Sequence, residues 1–286
     1  MPCYNLKLAD ICIQLDAPFS IALGEELSPF LREDADCCHF RIRFHAERYS
    51  LPPLPPEGLW VQDRYYTRYQ GSDAVFVRNA PDQPPYGLII QSNDGYLCRY
   101  LPEFERFFHD SADILNVIGM EAMLLRQGGF LLHASFIRWQ NRGILFSAPS
   151  GTGKSTQADL WETFMGSQTL NGDRAGIRCV NGTWNAFGMP FAGSSGIYRN
   201  ESAPICAIVV LSQSSQNAIR RLNAMDAVRK LLPECSCRRW DPHFMDHLLN
   251  LLLAVVQQVP VYQLECRPDR EAVELLYDTI TKEAIT

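Results

Sequence analysis

Long apolar runs are missing from this 286-residue chain. The longest, Leu248 to Val256, is interrupted by Asn250 and falls well short of a bilayer span, so no membrane partner is expected. The opening residues MPCYNLKLAD lack a basic stretch followed by an apolar segment, and no secretory leader is expected either. Charge of one sign is not concentrated anywhere. Lys and Arg number 26 against 32 Asp and Glu, a net -6 with no acidic or basic tail. That balance excludes nucleic acid as a general partner, which needs a basic footprint. No internal repeat is present. The ten cysteines, at 3, 12, 37, 38, 98, 179, 206, 235, 237 and 266, show neither zinc-ligand spacing nor a CxxC pair. Reduced, mostly buried thiols in a cytoplasmic protein are therefore expected.

What is present is ample core material, 47% apolar residues, in two differently patterned parts. Residues 1–105 read as a β-rich N-terminal domain or extension. Phe40 to Phe44 alternates apolar and basic residues, as a half-buried strand does. Asp73 to Arg78, Gly87 to Gln91 and Tyr96 to Leu101 are further strand candidates, the last two joined by the turn signal Asn93-Asp94-Gly95. Leu51 to Gly58 and Pro81 to Pro85 are proline-rich and read as rigid surface loops.

Residues 106–286 alternate helix and strand signals. One helix is expected from Ser111 to about Arg126, ended by Gly128-Gly129. Strands follow at Phe130 to Ile137 and Ile144 to Ser147, then a helix from Lys154 to about Met165. A β-rich middle, Asn171 to Val210, leads to a helix at Ala224 to Leu232. Another helix starts at Asp241-Pro242, a capping residue followed by proline, and stops before Pro260. A strand, Val261 to Cys266, and a helix, Arg270 to Lys282, complete the chain.

The stretch carrying chemistry is Ala148-Pro-Ser-Gly-Thr-Gly-Lys154-Ser155, between an expected strand and an expected helix. It fits the phosphate-loop pattern GxxxxGK[ST] except for its first glycine, replaced by Ala148. Gly151 and Gly153 allow the backbone N–H groups from Ser150 through Thr152 to Thr156 to turn inward as an anion nest. The helix N-terminus adds its positive end, Lys154 a point charge for the terminal phosphates, and the Ser155 hydroxyl an oxygen for Mg²⁺. A nucleoside triphosphate, ATP or GTP, with Mg²⁺ is the expected ligand. Phosphoryl transfer also needs a carboxylate. Asp173, in Leu170-Asn-Gly-Asp-Arg174, is the nearest downstream candidate for the metal, with a plain turn aspartate as the alternative. His133 lies on the preceding strand and comes near the phosphate site if the two strands pair.

Taken in order, LLHASFI, GILFSAPSGTGKSTQADLW, LNGDR, FGMPFAG, PICAIVVLSQS and PVYQLECRPD resemble the kinases related to HPr kinase/phosphorylase, which share their core with phosphoenolpyruvate carboxykinases. The resemblance runs from about Leu131 to the C-terminus. It implies an α/β fold with a mixed β-sheet around the phosphate loop, behind the β-rich N-terminal part. It implies that Lys154 and Ser155 are the loop lysine and metal-binding hydroxyl, and that His133 is the family's strand histidine. Asp173 matches the second of a paired Asp-Asp, one serving the metal and one taking the acceptor's proton; the first is Gly172 here. Asp173 would then do both jobs, or another group must help. The segment used for the reverse, phosphate-removing reaction has no match, so phosphorylase activity is not expected.

The expectation is a kinase that passes the γ-phosphoryl group to a serine of a peptide or small protein, with a ribosomally made precursor peptide among the choices. Two alternatives stay open: a nucleotide-binding scaffold without catalysis, and a small-metabolite kinase. A homo-oligomer is a further expectation from the resemblance. Gly188 to Gly196 is expected as a small-residue loop either near the site or plainly on the surface. Trp184 and Phe187 read as core aromatics, and His243 and His247 as helix surface. The basic residues Arg220, Arg221, Arg229, Lys230, Arg238 and Arg239 read as solvated faces, with docking of an acidic peptide as the alternative.

Overall fold

The computed structural model describes residues 3–17, 25–33, 38–47, 50–51, 60–62, 66–69, 74–77, 83–92, 95–108 and 111–283. The chain divides into two compact units, Met1–Met123 and Leu124–Thr286.

The first unit is built on one sheet. Its strands are β1 (Cys3–Leu8), β2 (Ile11–Asp16), β3 (Leu31–Arg32), β4 (Phe40–Ala46), β5 (Trp60–Gln62), β6 (Tyr66–Tyr69), β7 (Ala74–Val77), β8 (Gly87–Ser92) and β9 (Gly95–Tyr100). They lie in the order β3-β1-β2-β4-β9-β8-β7-β6-β5. β4 runs parallel to β2 and to β9, and the remaining pairs are antiparallel. Strict alternation decides which face of β4 is covered: Phe40, Ile42 and Phe44 are buried, while Arg41, Arg43 and His45 point to water. The β8–β9 pairing runs to Ser92 and Gly95, and the expected turn residues Asn93 and Asp94 lie outside the described residues. Gly95 is obligatory for packing. Its φ is +145°, and a Cβ there would lie 1.9 Å from the Arg41 carbonyl oxygen. The proline-rich residues 52–59 and 81–82 lie outside the described residues.

The helix expected from Ser111 to Arg126 is two helices, α1 (Ser111–Val117) and α2 (Met120–Arg126). Gly119, with φ +71°, breaks it, and its N–H turns back to the Asn116 carbonyl. The boundary between the units falls within α2.

The second unit holds β10 (Gly129–Trp139), β11 (Arg142–Ser147), α3 (Lys154–Met165), β12 (Gln168–Asn171), β13 (Arg174–Val180), β14 (Thr183–Gly188), β15 (Ser202–Gln213), β16 (Ala218–Arg221), α4 (Ala224–Leu231), α5 (Pro242–Gln258), β17 (Val261–Cys266) and α6 (Arg270–Glu283). Its sheet runs β11-β10-β13-β14-β15-β17-β16, with β12 paired to β10 beside this path. β15 is parallel to β11 and β17, and the other pairs are antiparallel. The sheet is therefore mixed, and the α/β class expected from the sequence is the one found. Because β15 also pairs back to β11, the strands β11, β10, β13, β14 and β15 form a closed circuit of pairings.

Local signals explain the helix ends. Asn223 caps α4 by accepting from the Asp226 N–H at 2.9 Å, and Asp241 caps α5 by accepting from the Phe244 N–H at 3.2 Å. α3 and α6 pack on one face of the sheet through Trp139, Phe146, Trp161, Tyr262, Val273 and Leu276. Trp161 is fully buried and meets the Trp139 ring edge-on at 5.8 Å. The helix after the phosphate loop is thus fixed by an aromatic anchor rather than by its own propensity. Trp184 and Phe187 are buried, as expected, and His243 and His247 lie on the exposed face of α5.

Among the described residues eight cysteines are free thiols, and three of them (Cys98, Cys235 and Cys266) are buried. Cys12 is disulfide-bonded, which corrects the expectation of a wholly reduced set. Among the described residues no helix is long and apolar enough to cross a membrane.

Candidate active site

The pairing of β10 with β11 decides where His133 goes. Ala134 pairs with Ser147, the last residue before the loop, so His133 stands opposite its first residue, Ala148. The Ser147 hydroxyl donates to the His133 carbonyl at 3.0 Å. On its other side β10 pairs with β13, with His133 in register with Arg174. The Ala134 N–H donates to the Asp173 carbonyl at 2.9 Å. One strand position thus lies between the loop and the aspartate, and it is histidine.

The loop itself has the backbone its glycines allow. Gly151 takes φ +79° and Gly153 φ +113°, and neither would meet any atom within 4 Å on gaining a Cβ. Ser150, Gly151, Ser155 and Thr156 are exposed, with Thr152 half-buried. Gly153 is the N-cap of α3, and no side chain caps that helix. Its first N–H groups therefore need a partner from outside. Gln213, the last residue of β15, lies alongside and donates weakly to the Gly151 and Thr152 carbonyls at 3.4 and 3.5 Å.

Lys154 is only 7% exposed. Its ammonium donates to the Ala148 carbonyl at 2.8 Å and the Pro149 carbonyl at 3.3 Å. Among the described residues no carboxylate comes within ion-pair distance of it. Burial pulls its pKa down from the ordinary lysine value, opposed by the fields of Glu234 and then Asp173.

Asp173 sits on a turn fixed from below. Asn171 is fully buried; its side-chain oxygen accepts from the Asp173 N–H at 3.2 Å. Its amide donates to the Met189 carbonyl at 2.7 Å and the Phe191 carbonyl at 3.2 Å. The small-residue loop from Gly188 to Gly196 is thereby tied to the site. It reaches Asp173 directly: a Cβ on Gly193, whose φ is +54°, would lie 2.8 Å from the Asp173 Cβ. The Asp173 carboxylate is 3.5 Å from His133 Nε2 and 3.6 Å from Arg174 Nε, and the Arg174 guanidinium stacks over Phe191 at 5.2 Å.

Glu234 was not singled out by the sequence reading. It ends the 3-10 turn Leu232–Glu234 after α4, and its Oε2 lies 3.0 Å from His133 Nδ1. The two residues are 101 positions apart, and no motif connects them. Lys154, His133, Asp173 and Glu234 therefore form one cluster at the mouth of the loop. Ser155 is the second residue of α3, with its side chain exposed. Among the described residues no group of three or more His, Cys, Asp or Glu is placed to hold a metal alone.

A family model described as "SynChlorMet cassette protein ScmC" matches residues 111–269, more than half of the chain. Among solved structures, the Hpr(Ser) kinase/phosphatase from Coxiella burnetii is similar at 13% identity, over 54% of this chain and 89% of that one, with a TM-score of 0.32. No curated protein matches the chain.

Proposed function

The chain belongs to the SynChlorMet cassette protein ScmC family, and from that premise and the site geometry we propose that it is a nucleotide-dependent kinase acting on a hydroxyl. The observation that carries this reading is Lys154. A buried ammonium held only by two carbonyls of its own loop is costly unless an anion meets it. It stands at the uncapped N-terminus of a 12-residue helix, below two glycines in left-handed conformation. A triphosphate satisfies all three features at once, since it brings negative charge and many acceptor oxygens.

The residues present fit ATP or GTP with Mg²⁺. The loop from Ser150 to Thr156 would hold the phosphates, and Ser155 with Asp173 would offer the metal oxygens. Mg²⁺ supplies neutralisation of charge on the phosphate oxygens when bound. Lys154 provides the fixed cation that the resting site already holds out of water. Asp173 would orient the acceptor hydroxyl and take its proton, a role supported by its position beside Arg174 and His133. Gly193 leaves the approach to that carboxylate free of a side chain.

The acceptor we favour is a serine of a peptide or small protein. A cassette protein is encoded beside its working partners, so a small open reading frame there is where the acceptor is to be sought. The direct test incubates the full chain with γ-labelled ATP or GTP, Mg²⁺ and the peptides of that cassette. Label on a peptide serine supports the reading. Nucleotide binding with no label on peptide, metabolite or water would point instead to a scaffold.

A further inference from the structure

Position 172 is glycine, and a side chain there would meet Ser195. A Cβ on Gly172 would lie 1.8 Å from the Ser195 hydroxyl oxygen and 2.6 Å from the Ser195 Cβ. Ser195 is held in that place: its hydroxyl donates to the Ala192 carbonyl at 2.8 Å and accepts from the Ile197 N–H at 3.2 Å. The Gly172 N–H also donates to the Ile197 carbonyl at 3.2 Å, which binds the two segments together. A side chain at 172 would therefore require Ser195 to move out of its hydrogen-bonded place.

A second carboxylate enters the site from another element. Cys235 forms an antiparallel bridge with Leu132, and the Ser236 N–H donates to the Leu131 carbonyl at 3.1 Å. These two contacts set the residue before Cys235 against the residue after Leu132. Glu234 consequently meets His133 at Nδ1, while Nε2 of the same ring looks toward Asp173. The Glu234 side chain is 13% exposed, against 27% for His133 and 29% for Asp173. A carboxylate that deep needs compensation, and His133 provides it.

We propose that Glu234 is the second carboxylate of this site and acts through His133 as a positioning residue. The assignment rests on the kinase reading given above. A carboxylate only accepts, so Glu234 draws the imidazole proton to Nδ1 and leaves the Nε2 lone pair facing Asp173. At 3.5 Å, Nε2 and the Asp173 oxygen share no made hydrogen bond in the resting site. During transfer the acceptor oxygen bonds to the γ-phosphorus as the bond from that phosphorus to the β–γ bridging oxygen breaks. The acceptor's proton goes to Asp173, whose carboxyl can then donate to the Nε2 lone pair before the proton leaves to water.

The test uses the full chain, [γ-³²P]ATP with Mg²⁺, and a serine-containing peptide library. Two variants separate charge from shape: Glu234→Ala removes the acceptor oxygen, and Glu234→Gln keeps one. The expected result is a fall in kcat of about 10- to 100-fold for Glu234→Ala, with nucleotide KM little changed and partial rescue by Glu234→Gln. Nitrogen-15 NMR of the imidazoles supplies a readout that packing alone would not move. His133 should carry its proton on Nδ1 in the unmodified chain and in Glu234→Gln, and become a tautomer mixture in Glu234→Ala. A folded Glu234→Ala with undiminished kcat beside an active wild type overturns this assignment alone. So does an Nε2–H tautomer in the wild type. Failure of the unmodified chain to transfer phosphate to any acceptor overturns the kinase reading and this assignment together.

Discussion

Two strands of this molecule, one from each sheet, handle polar side chains in opposite ways. In the first unit, β4 keeps Phe40, Ile42 and Phe44 inside and sends Arg41, Arg43 and His45 to water. Its charge never enters the core. In the second unit, β10 is buried at nine of eleven positions, and the two exceptions are His133 and Arg138. Each is met by partners. Arg138 pairs with Glu201 at 2.6 Å and donates to Gln168 at 2.5 Å; His133 bridges Glu234 and Asp173. A strand covered on both faces admits a polar residue only where other elements supply matching groups. One of those two clusters also adjoins a phosphate loop. Under the proposed reading the second sheet carries the chemistry, and the first is the scaffold.

The largest effect that would sharpen this contrast belongs to Asp173. Asp173→Asn should lower kcat for phosphoryl transfer by about 10²–10⁴-fold while nucleotide affinity, measured by titration calorimetry, stays near that of the wild type. Retained turnover would remove Asp173 from the chemistry. Next in size is the anchor of α3. Trp161→Ala should cost about 3–5 kcal/mol of stability in denaturant unfolding, with nucleotide binding weakened as the loop helix loosens. An unchanged midpoint would show that α3 is held some other way. Smaller again is the expected effect in the first sheet. Gly95→Ala should cost about 1–3 kcal/mol, because its backbone lies at φ +145° against the Arg41 carbonyl. Nucleotide affinity should be untouched. If Gly95→Ala weakened ATP binding as much as Trp161→Ala, the separation of scaffold from chemistry would be wrong.

The parts legible in the sequence were those coded locally. Glycines 151 and 153, the lysine after them and the apolar strand before them are contiguous, so one window holds the whole loop. The cap at Asp241 is local in the same way, and α5 starts where that residue places it. Gly119 was visible too, but the apolar spacing around it concealed a break between α1 and α2. What could not be read is whatever depends on distant strands meeting. Glu234 reaches His133 through a single bridge between Leu132 and Cys235, and Leu-Pro-Glu-Cys by itself gives no hint of it. The packing of Ser195 against Gly172 is equally non-local: the departure from a carboxylate pair was plain, but the contact with Ser195 was not. The disulfide at Cys12 was missed because the cysteines are scattered without a recognisable spacing.

Titration calorimetry of the full chain with ATP and with GTP, in the presence of Mg²⁺, bears most directly on the central claim that the loop around Lys154 holds a triphosphate. Saturable heat is expected with at least one nucleotide, weakened at least tenfold (about 1.4 kcal/mol) by Lys154→Ala. Neither nucleotide giving heat, or Lys154→Ala binding as tightly as the wild type, would contradict it.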